Sequence, residues 1–370
     1  MPYREVESIE ALKELLSCCG GDVRHCAFQS IDFTQVDDIS SYRFCDSIFL
    51  GCTLTESMQL SEDSIVSPRM NVPYNISPPR LYSAEELYSG YDPQRRESFE
   101  ECYDTKVYRD YIERGKQCKS IYDSLARALH DHSISDALHD MLSKYEPRRI
   151  VAVMGGHSLS RNDSVYLKVV RLSKRLSECG FLMLSGGGPG AMEATHLGAW
   201  LAGREESDVI KSVEILSKAP TYRDEGWLES AFKVRTLFPN NSDVSSIGIP
   251  TWFYGHEPAT PFATHIAKYF DNSIREDGLL AVAKGGVIYT PGSAGTMQEI
   301  FQDAAQNHYE TFGFSSPMIF LGKEYWSGEL PIYPLLESLM AKGRYKNLKL
   351  SITDSIDEVV ATLEEFSLQR

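Results

Sequence analysis

The chain has 370 residues, of which 42% are hydrophobic and 24% are charged, and its formal net charge is −15. This composition excludes wholesale disorder, and the length favours two domains over one. The negative charge repels nucleic acid, and no long Lys/Arg run offsets it. No stretch approaches the roughly 20 apolar residues of a membrane-spanning helix, and acidic residues stand where a secretory signal would be basic. We therefore expect a cytoplasmic protein without a nucleic-acid or membrane partner.

Eight cysteines are present, without a CxxC pair and without a histidine at metal-ligand spacing. Such thiols are typical of reduced, structural cysteines. A zinc site built from the five cysteines before residue 55 is an alternative, although their spacing fits no standard ligand pattern. We expect neither a metal nor a cofactor.

The N-terminal region, residues 1–66, is predicted to be small and rich in strands. Apolar residues at helical spacing predict one amphipathic helix within residues 5–16. From Ala27 to Leu54, short aromatic and aliphatic pairs separated by polar turns predict strands. Their five-residue rhythm hints at a pentapeptide-repeat coil, with too few repeats to stand alone.

Residues 67–146 are predicted to form an arm followed by a helical segment. Pro and Tyr are frequent from residue 68 to 94, which favours an extended chain that packs through its rings. A helical pattern then runs from about Lys106 to Leu142 and ends before Pro147. Together, residues 1–146 serve either as a sensor or oligomerisation module for the catalytic domain or as a packing extension that stabilises a dimer.

Residues 147–370 alternate between strand and helix patterns. The apolar run Ile150–Met154 is followed by Gly155-Gly156 and an amphipathic helix, and Phe181–Leu184 repeats the strand signal. Three more strand patterns and their helices follow, whereas residues 204–262 carry little periodicity. This alternation predicts an α/β fold with a doubly wound, Rossmann-like parallel sheet, and the N-terminal region is then a smaller α+β extension.

Two glycine-rich turns each follow a predicted strand and precede a helix. The first is SGGGPGAME, residues 185–193, and the second is TPGSAGTMQE, residues 290–299. Glycines let backbone N–H groups approach an anion, and helix N-termini favour phosphate. Either turn alone could be a tight connection without a ligand. Two of them at one edge of a sheet favour a nucleotide.

These motifs resemble the Lonely Guy (LOG) family, once mislabelled lysine decarboxylases, whose marks are a GGGxxGxM turn and a PGGxGTxxE turn. The resemblance runs from about Arg149 to Phe366 and includes the opening MGGHSLSRNDSVY. It implies hydrolysis of a nucleoside 5′-monophosphate, AMP-like or a cytokinin riboside monophosphate, to free base and ribose 5-phosphate. It also implies a homodimer or a multiple of dimers.

The resemblance assigns Arg275 and Glu299 as catalytic residues. The nucleotide- and phosphate-binding residues are then Gly155, Gly156, Ser158, Gly186, Gly187, Gly188, Gly190, Glu193, Gly292, Ser293, Gly295 and Thr296. The chain departs from the family at Glu276, Ser293 and Gln298, where lysine, glycine and glutamate are usual. These changes put the substrate preference in doubt.

In this mechanism Glu299 steadies an oxocarbenium-like ribose and activates water, while Arg275 orients the carboxylate or the substrate, or pairs with the base or phosphate. The plainer interpretations are a surface arginine and a glutamate that complements the helix dipole. Glu193 hydrogen-bonds ribose hydroxyls or serves only as such a helix charge. The alternative function is a non-catalytic carrier or sensor that binds a nucleotide or cofactor on the same fold. The side chains of His157, His256, His265 and Trp252 are further candidates for lining the base pocket.

Overall fold

The computed structural model describes residues 3–67, 70–240, 243–255 and 258–369. The chain divides into two units, Met1–Leu81 with Arg109–His139 and Tyr82–Tyr108 with Asp140–Arg370. Pro68 and Arg69 of the predicted arm, and His256, lie outside the described residues. The division into the segments 1–66, 67–146 and 147–370 stays a prediction.

The first unit begins with short strands and one helix. They are β1 (Arg4–Val6), α1 (Ile9–Cys18), β2 (Asp22–Arg24), β3 (Cys26–Gln29), β4 (Arg43–Cys45), β5 (Ile48–Leu50), β6 (Gln59–Leu60) and β7 (Ile65–Val66). The predicted helix is present but begins later than the apolar pattern indicated. Ser8 caps it by accepting a hydrogen bond from the N–H of Ala11, and Val6 lies in β1 instead.

The strands predicted between Ala27 and Leu54 are confirmed, and they wind as a coil. In the described residues, β1, β3, β5 and β7 form one parallel sheet and β2, β4 and β6 form another. Alternate strands can pair in parallel only if the chain keeps turning in one direction. Four phenylalanines fill the interior with ring centroids 5.0 to 5.7 Å apart, namely Phe28, Phe33, Phe44 and Phe49. Most of these ring pairs meet edge to face, and the four rings belong to the hydrophobic core of this unit.

Three helices follow, α2 (Ala84–Leu87), α3 (Tyr103–Arg114) and α4 (Ile121–Leu142). The helical pattern predicted from Lys106 to Leu142 is therefore interrupted. Gly115 follows α3 with φ of +91°, a left-handed conformation that ends a helix and that glycine adopts readily.

After α4, the part of the chain that belongs to the second unit alternates between strands and helices, as predicted. Its elements are β8 (Ile150–Met154), α5 (Ser164–Glu178), β9 (Leu182–Ser185), α6 (Ala191–Trp200), α7 (Glu206–Leu216), α8 (Trp227–Leu237), β10 (Ser246–Gly248), β11 (His265–Ile266), α9 (Asn272–Val282), β12 (Gly286–Tyr289), α10 (Ala294–His308), β13 (Pro317–Leu321), α11 (Ile332–Ala341), β14 (Lys349–Thr353) and α12 (Ile356–Ser367). The weakly periodic stretch 204–262 contains α7, α8 and β10.

These strands form one parallel sheet, and its order confirms the predicted fold class. Across the described residues the order is β11-β10-β9-β8-β12-β13-β14. From β8 the chain first winds toward β11, and it then returns to add β12 on the other side of β8. The winding direction thus reverses between β8 and β12. In open α/β sheets such a switch point leaves a crevice outside the carboxyl ends of the strands, where ligands bind.

The main core lies on one face of this sheet. Side chains of α5, α6 and α12 pack there against β8, β9, β12 and β13, and the fully buried Val153, Val169, Leu197 and Leu363 belong to this cluster. Because parallel crossovers keep one hand, the reversal sends the β12–β13 crossover, which contains α10, to the opposite face. Within the described residues, no helix is long and apolar enough to cross a membrane.

Candidate functional site

The loop that follows β8 and the second glycine turn meet at the switch point. Gly155 and Gly156 follow β8, and Pro291 and Gly292 follow the neighbouring β12. The N–H of Gly156 donates to the carbonyl of Pro291 at 3.1 Å. A Cβ on Gly155 would lie 1.9 Å from the hydroxyl oxygen of Thr290, so only glycine permits this approach. The two segments therefore form one continuous surface of backbone.

The first glycine turn packs against the same loop. Gly190 has φ of +70°, and a Cβ there would lie 2.4 Å from the carbonyl oxygen of Gly156. That carbonyl accepts the N–H of Ala191, the first residue of α6, at 3.2 Å. Gly187 also has a positive φ, of +71°, and Gly188 is buried. The structure thus brings together the loop and both turns that the sequence singled out.

The second turn presents the N-terminus of a fifteen-residue helix, α10. Ser293 occupies the N-cap position, but its side chain makes no capping hydrogen bond. A Cβ on Gly292 would meet the hydroxyl of Thr296 at 2.2 Å, and Tyr325 donates to the carbonyl of Gly292 at 2.5 Å. Ser293 and Gly295 are exposed. An uncapped helix N-terminus with exposed small residues is suited to an anion.

Arg275 reaches the first turn from α9. Its Nε donates to the carbonyl of Ile249 at 2.7 Å, which fixes the guanidinium at the carboxyl end of β10. A Cβ on Gly186 would lie 2.3 Å from Nη2 of Arg275 and 2.6 Å from the sulfur of Met192. The guanidinium therefore lies against the first glycine turn, where it offers positive charge to a ligand.

Glu299, in the second turn of α10, is half-buried. Burial raises the pKa of its carboxyl to about 7, Arg275 acts to lower this pKa, and Glu276 acts to raise it. Such a carboxyl is divided between its acid and carboxylate forms near neutral pH. A group with this pKa is well placed to accept or return a proton.

Glu276, one of the departures from the family pattern, points inward. It is 8% exposed, and its Oε2 accepts a hydrogen bond from Nδ2 of Asn272 at 2.8 Å. A carboxyl here, where the family has lysine, contributes to the raised pKa of Glu299. Gln298, the second departure on α10, is exposed.

Glu193 lies in the first turn of α6, but its carboxylate is already engaged. Arg161 donates to both oxygens, from Nε to Oε2 at 2.8 Å and from Nη2 to Oε1 at 2.5 Å, and Tyr166 donates to Oε2 at 2.9 Å. Arg161 and Glu193 are each 1% exposed. We call Arg161, Glu193 and Tyr166 the Arg161 cluster. Arg161 lies in the opening loop MGGHSLSRNDSVY, where no motif assigned it a role.

Two concave regions adjoin this cluster. A cavity of about 150 Å³, which we call the Gly190 cavity, is lined by Ser158, Arg161, Gly190, Glu193, Tyr222 and Arg223, among others, and by His157. A more open cleft of about 640 Å³ shares Tyr222, Arg223 and Trp227 with it and extends to Tyr91 and Phe99. Neither region is lined by Arg275 or Glu299. Size alone therefore does not make the larger cleft the place where bonds are broken.

Buried hydrogen bonds join the first glycine turn to α6 and β10. Ser185 Oγ accepts the N–H of Gly187 at 3.2 Å and contacts Nε2 of His196 at 2.7 Å, while Nδ1 of His196 contacts Ser246 Oγ at 2.9 Å. Burial lowers the pKa of His196 to about 3, so it is neutral at physiological pH. Sequence reasoning missed this support because a histidine inside a helix carries no motif.

Two of the residues suggested for the base pocket lie elsewhere. Trp252 is 1% exposed, and its ring N–H donates to Asp104 at 2.9 Å. His265 is half-buried in β11, at the end of the sheet order. Of the described candidates, His157 lines the Gly190 cavity.

No protein-family model matches this chain, and no curated protein matches it. Solved structures do match. The structural-genomics protein TM1055 is 20% identical over 58% of this chain and 98% of its own, with a TM-score of 0.38. The molybdenum cofactor binding protein from Rippkaea orientalis is 16% identical over 58% and 95%, with a TM-score of 0.36. The molybdenum cofactor carrier protein MCP from Chlamydomonas reinhardtii is 14% identical over 60% and 98%, with a TM-score of 0.35. These similarities are too distant to bear on activity.

Proposed function

We propose that this protein is a nucleoside 5′-monophosphate phosphoribohydrolase of the LOG type, which hydrolyses the N-glycosidic bond to release a free base and ribose 5-phosphate. One observation carries the proposal. A carboxyl with a pKa of about 7, that of Glu299, and the guanidinium of Arg275 lie at a switch point whose glycine turns suit a phosphate.

The phosphate is proposed to lie at the N-terminus of α10, against Gly292, Ser293, Gly295 and Thr296. The helix dipole and the unbonded N–H groups of the first helical turn favour an anion there. Glu299 lies farther along the same helix, so a bound phosphate would hold the attached ribose near this carboxyl. Arg275 would add positive charge from the opposite turn.

Cleavage of the glycosidic bond builds positive charge on the ribose, and the bonding electrons leave with the base. The carboxylate form of Glu299 stabilises that charge and accepts a proton from the attacking water, whose oxygen bonds to C1′. The departing base takes up a proton from solvent, which balances the proton that Glu299 later releases. A pKa near 7 allows Glu299 to take a proton and release it to solvent within one turnover at neutral pH.

As in the LOG family, we propose a cytoplasmic homodimer or a multiple of dimers. Light scattering of the full chain tests the assembly. A monomeric mass at micromolar concentration would contradict it.

The second candidate is a non-catalytic nucleotide or cofactor carrier. The observation that favours it is the set of departures at Glu276, Ser293 and Gln298, because two of them stand in the second turn and its helix. Such a protein would retain the anion site without turnover.

The decisive experiment measures base release by chromatography from AMP, GMP, IMP, CMP, UMP and N6-isopentenyl AMP. Wild type, Glu299→Gln and Asp303→Asn are compared. Asp303 is the matched control, because it lies one turn farther along α10 and burial likewise raises its pKa to about 7. Its carboxyl is fully buried against Tyr289 and Asn307.

Release of base and ribose 5-phosphate by wild type and Asp303→Asn, but not by Glu299→Gln, would support the hydrolase. Binding of a nucleotide without any base release would favour the carrier. If wild type neither binds nor cleaves any member of the panel, the hydrolase and the nucleotide carrier are both wrong.

A further inference from the structure

Arg161 joins two parts of the second unit that are distant in sequence. Toward α6, its Nε and Nη2 make the paired hydrogen bonds to Glu193 described above. This two-point geometry fixes the carboxylate in orientation as well as in position. Glu193 is the last residue of the first glycine turn, so Arg161 is tied to that turn.

The remaining amino group of Arg161 faces the connection between α7 and α8. Its Nη1 donates to the carbonyls of Ala219 at 3.1 Å and Trp227 at 3.2 Å, and to Ser230 Oγ at 2.9 Å. The guanidinium also lies 4.7 Å from the ring centroid of Trp227. One buried side chain thus holds both ends of the segment 219–230.

That segment carries two side chains of the Gly190 cavity. Tyr222 is half-buried and Arg223 is exposed, and both line the cavity together with Ser158 and Gly190. Nε of Arg223 lies 3.3 Å from the hydroxyl of Tyr222, and its guanidinium lies 5.4 Å from the Tyr222 ring centroid. Among the described residues, no carboxylate forms an ion pair with Arg223. An aromatic ring and a planar guanidinium are the two groups on which nucleobases stack.

We propose that the Gly190 cavity is the base subsite, with Tyr222 and Arg223 as specificity-determining residues and Arg161 as the positioning residue that holds them against the first glycine turn. This inference rests on the proposed function. The phosphate is proposed to lie at the second glycine turn. Gly156 lies between the two turns: its N–H donates to the carbonyl of Pro291, and its carbonyl accepts the N–H of Ala191. A nucleotide bound across Gly156 would extend its base into the cavity.

Lysine cannot replace arginine in this arrangement. An ammonium group has one nitrogen, which cannot make the paired bonds to Glu193 and also reach Ala219, Trp227 and Ser230. Arg161→Lys keeps the positive charge beside Glu193 but releases the segment 219–230. Arg171→Lys is the matched control, because Arg171 pairs with Glu206 on an exposed surface of α5.

The test measures dissociation constants by calorimetry for the best nucleotide of the panel. Ribose 5-phosphate, which lacks the base, is the second probe. Arg161→Lys and Tyr222→Ala are expected to weaken nucleotide binding by about tenfold or more, in line with the loss of one stacked base contact. Their affinity for ribose 5-phosphate should stay within about threefold of wild type, because this probe lacks the base that the cavity is proposed to hold.

The outcomes separate the two proposals. Wild-type nucleotide affinity in both variants would overturn this inference and leave the proposed function standing. An equal loss of affinity for ribose 5-phosphate would also overturn it, since the effect would not depend on the base. If wild type binds no nucleotide, the proposed function fails and the inference fails with it. Should Arg161→Lys not fold, Tyr222→Ala and Arg223→Ala, at less buried positions, decide the question by the same comparison.

Discussion

The guanidinium of Arg275 occupies the space that a side chain on Gly186 would need, since a Cβ there would lie 2.3 Å from Nη2. Arg275 therefore reaches the first turn only because residue 186 is glycine. Its position is set by this contact and by the hydrogen bond to the carbonyl of Ile249. Gly186 therefore helps to determine where the positive charge of Arg275 lies, in addition to shaping the turn.

Gly186→Ala should displace Arg275 and lower base release by at least about tenfold, as expected when a catalytic group is moved by an ångström. The loss of stability should be modest, because the atoms displaced are the ends of the flexible Arg275 and Met192 side chains. A double-mutant cycle with Arg275→Ala measures the coupling. If Gly186→Ala lowers activity as much in the Arg275→Ala background as in wild type, Arg275 is not the cause.

Base release should depend on pH through Glu299. The active form is the carboxylate, and burial places its pKa at about 7. Activity should therefore fall as the pH drops through about 7, and it should level off above 8. The measurement is kcat from pH 5 to 9, with Asp303→Asn as control. A profile whose midpoint moves in Asp303→Asn would assign the titration to Asp303 instead.

The same pKa predicts that Glu299 destabilises the fold at alkaline pH. The folded-state pKa of about 7 lies above the ordinary value of 4.5, so the unfolded chain ionises first as the pH rises. The cost is absent below about pH 4.5, grows up to about pH 7 and is constant above it. Glu299→Gln should raise the free energy of unfolding by on the order of 2 kcal/mol at pH 8 and change it little at pH 4. Urea titrations at both values check this, and a gain of equal size at pH 4 would contradict it.

Two glycines of the turns should respond differently to alanine. Gly190→Ala places a Cβ 2.4 Å from a backbone carbonyl at a positive φ, and it should cost several kcal/mol of stability, on the order of 3. Gly295→Ala meets no atom within 4 Å, so the fold should keep its stability. Its phosphate affinity should still fall, because the added methyl stands where the anion is proposed to lie.

Thermal melts and calorimetry with ribose 5-phosphate measure both effects. Gly278→Ala is the control, since Gly278 lies within α9, outside the turns, and a Cβ added there would meet no atom within 4 Å. It should gain about 0.5–1 kcal/mol from helix propensity. Unchanged phosphate affinity in Gly295→Ala would place the anion away from the N-terminus of α10.

The sequence alone determined the alternating strands and helices of the second unit. Long apolar strands such as Ile150–Met154 and amphipathic helices such as Ser164–Glu178 carry a strong local signal, because one face must be buried wherever the chain goes. Both glycine turns could be predicted for a similar reason, because a residue such as Gly190 adopts a backbone conformation that other residues avoid.

Tertiary structure decided what no local pattern encodes. The switch point between β8 and β12 depends on the order of strands, and the sequence does not state that order. The pairing of Arg161 with Glu193 joins positions brought together only by packing, and it changes Glu193 from a free ligand group into an engaged one. The pKa of Glu299 likewise follows from burial and from Arg275 and Glu276 on a neighbouring helix. Charge and solvation are properties of the assembled site, whereas turns and periodicity are properties of the chain.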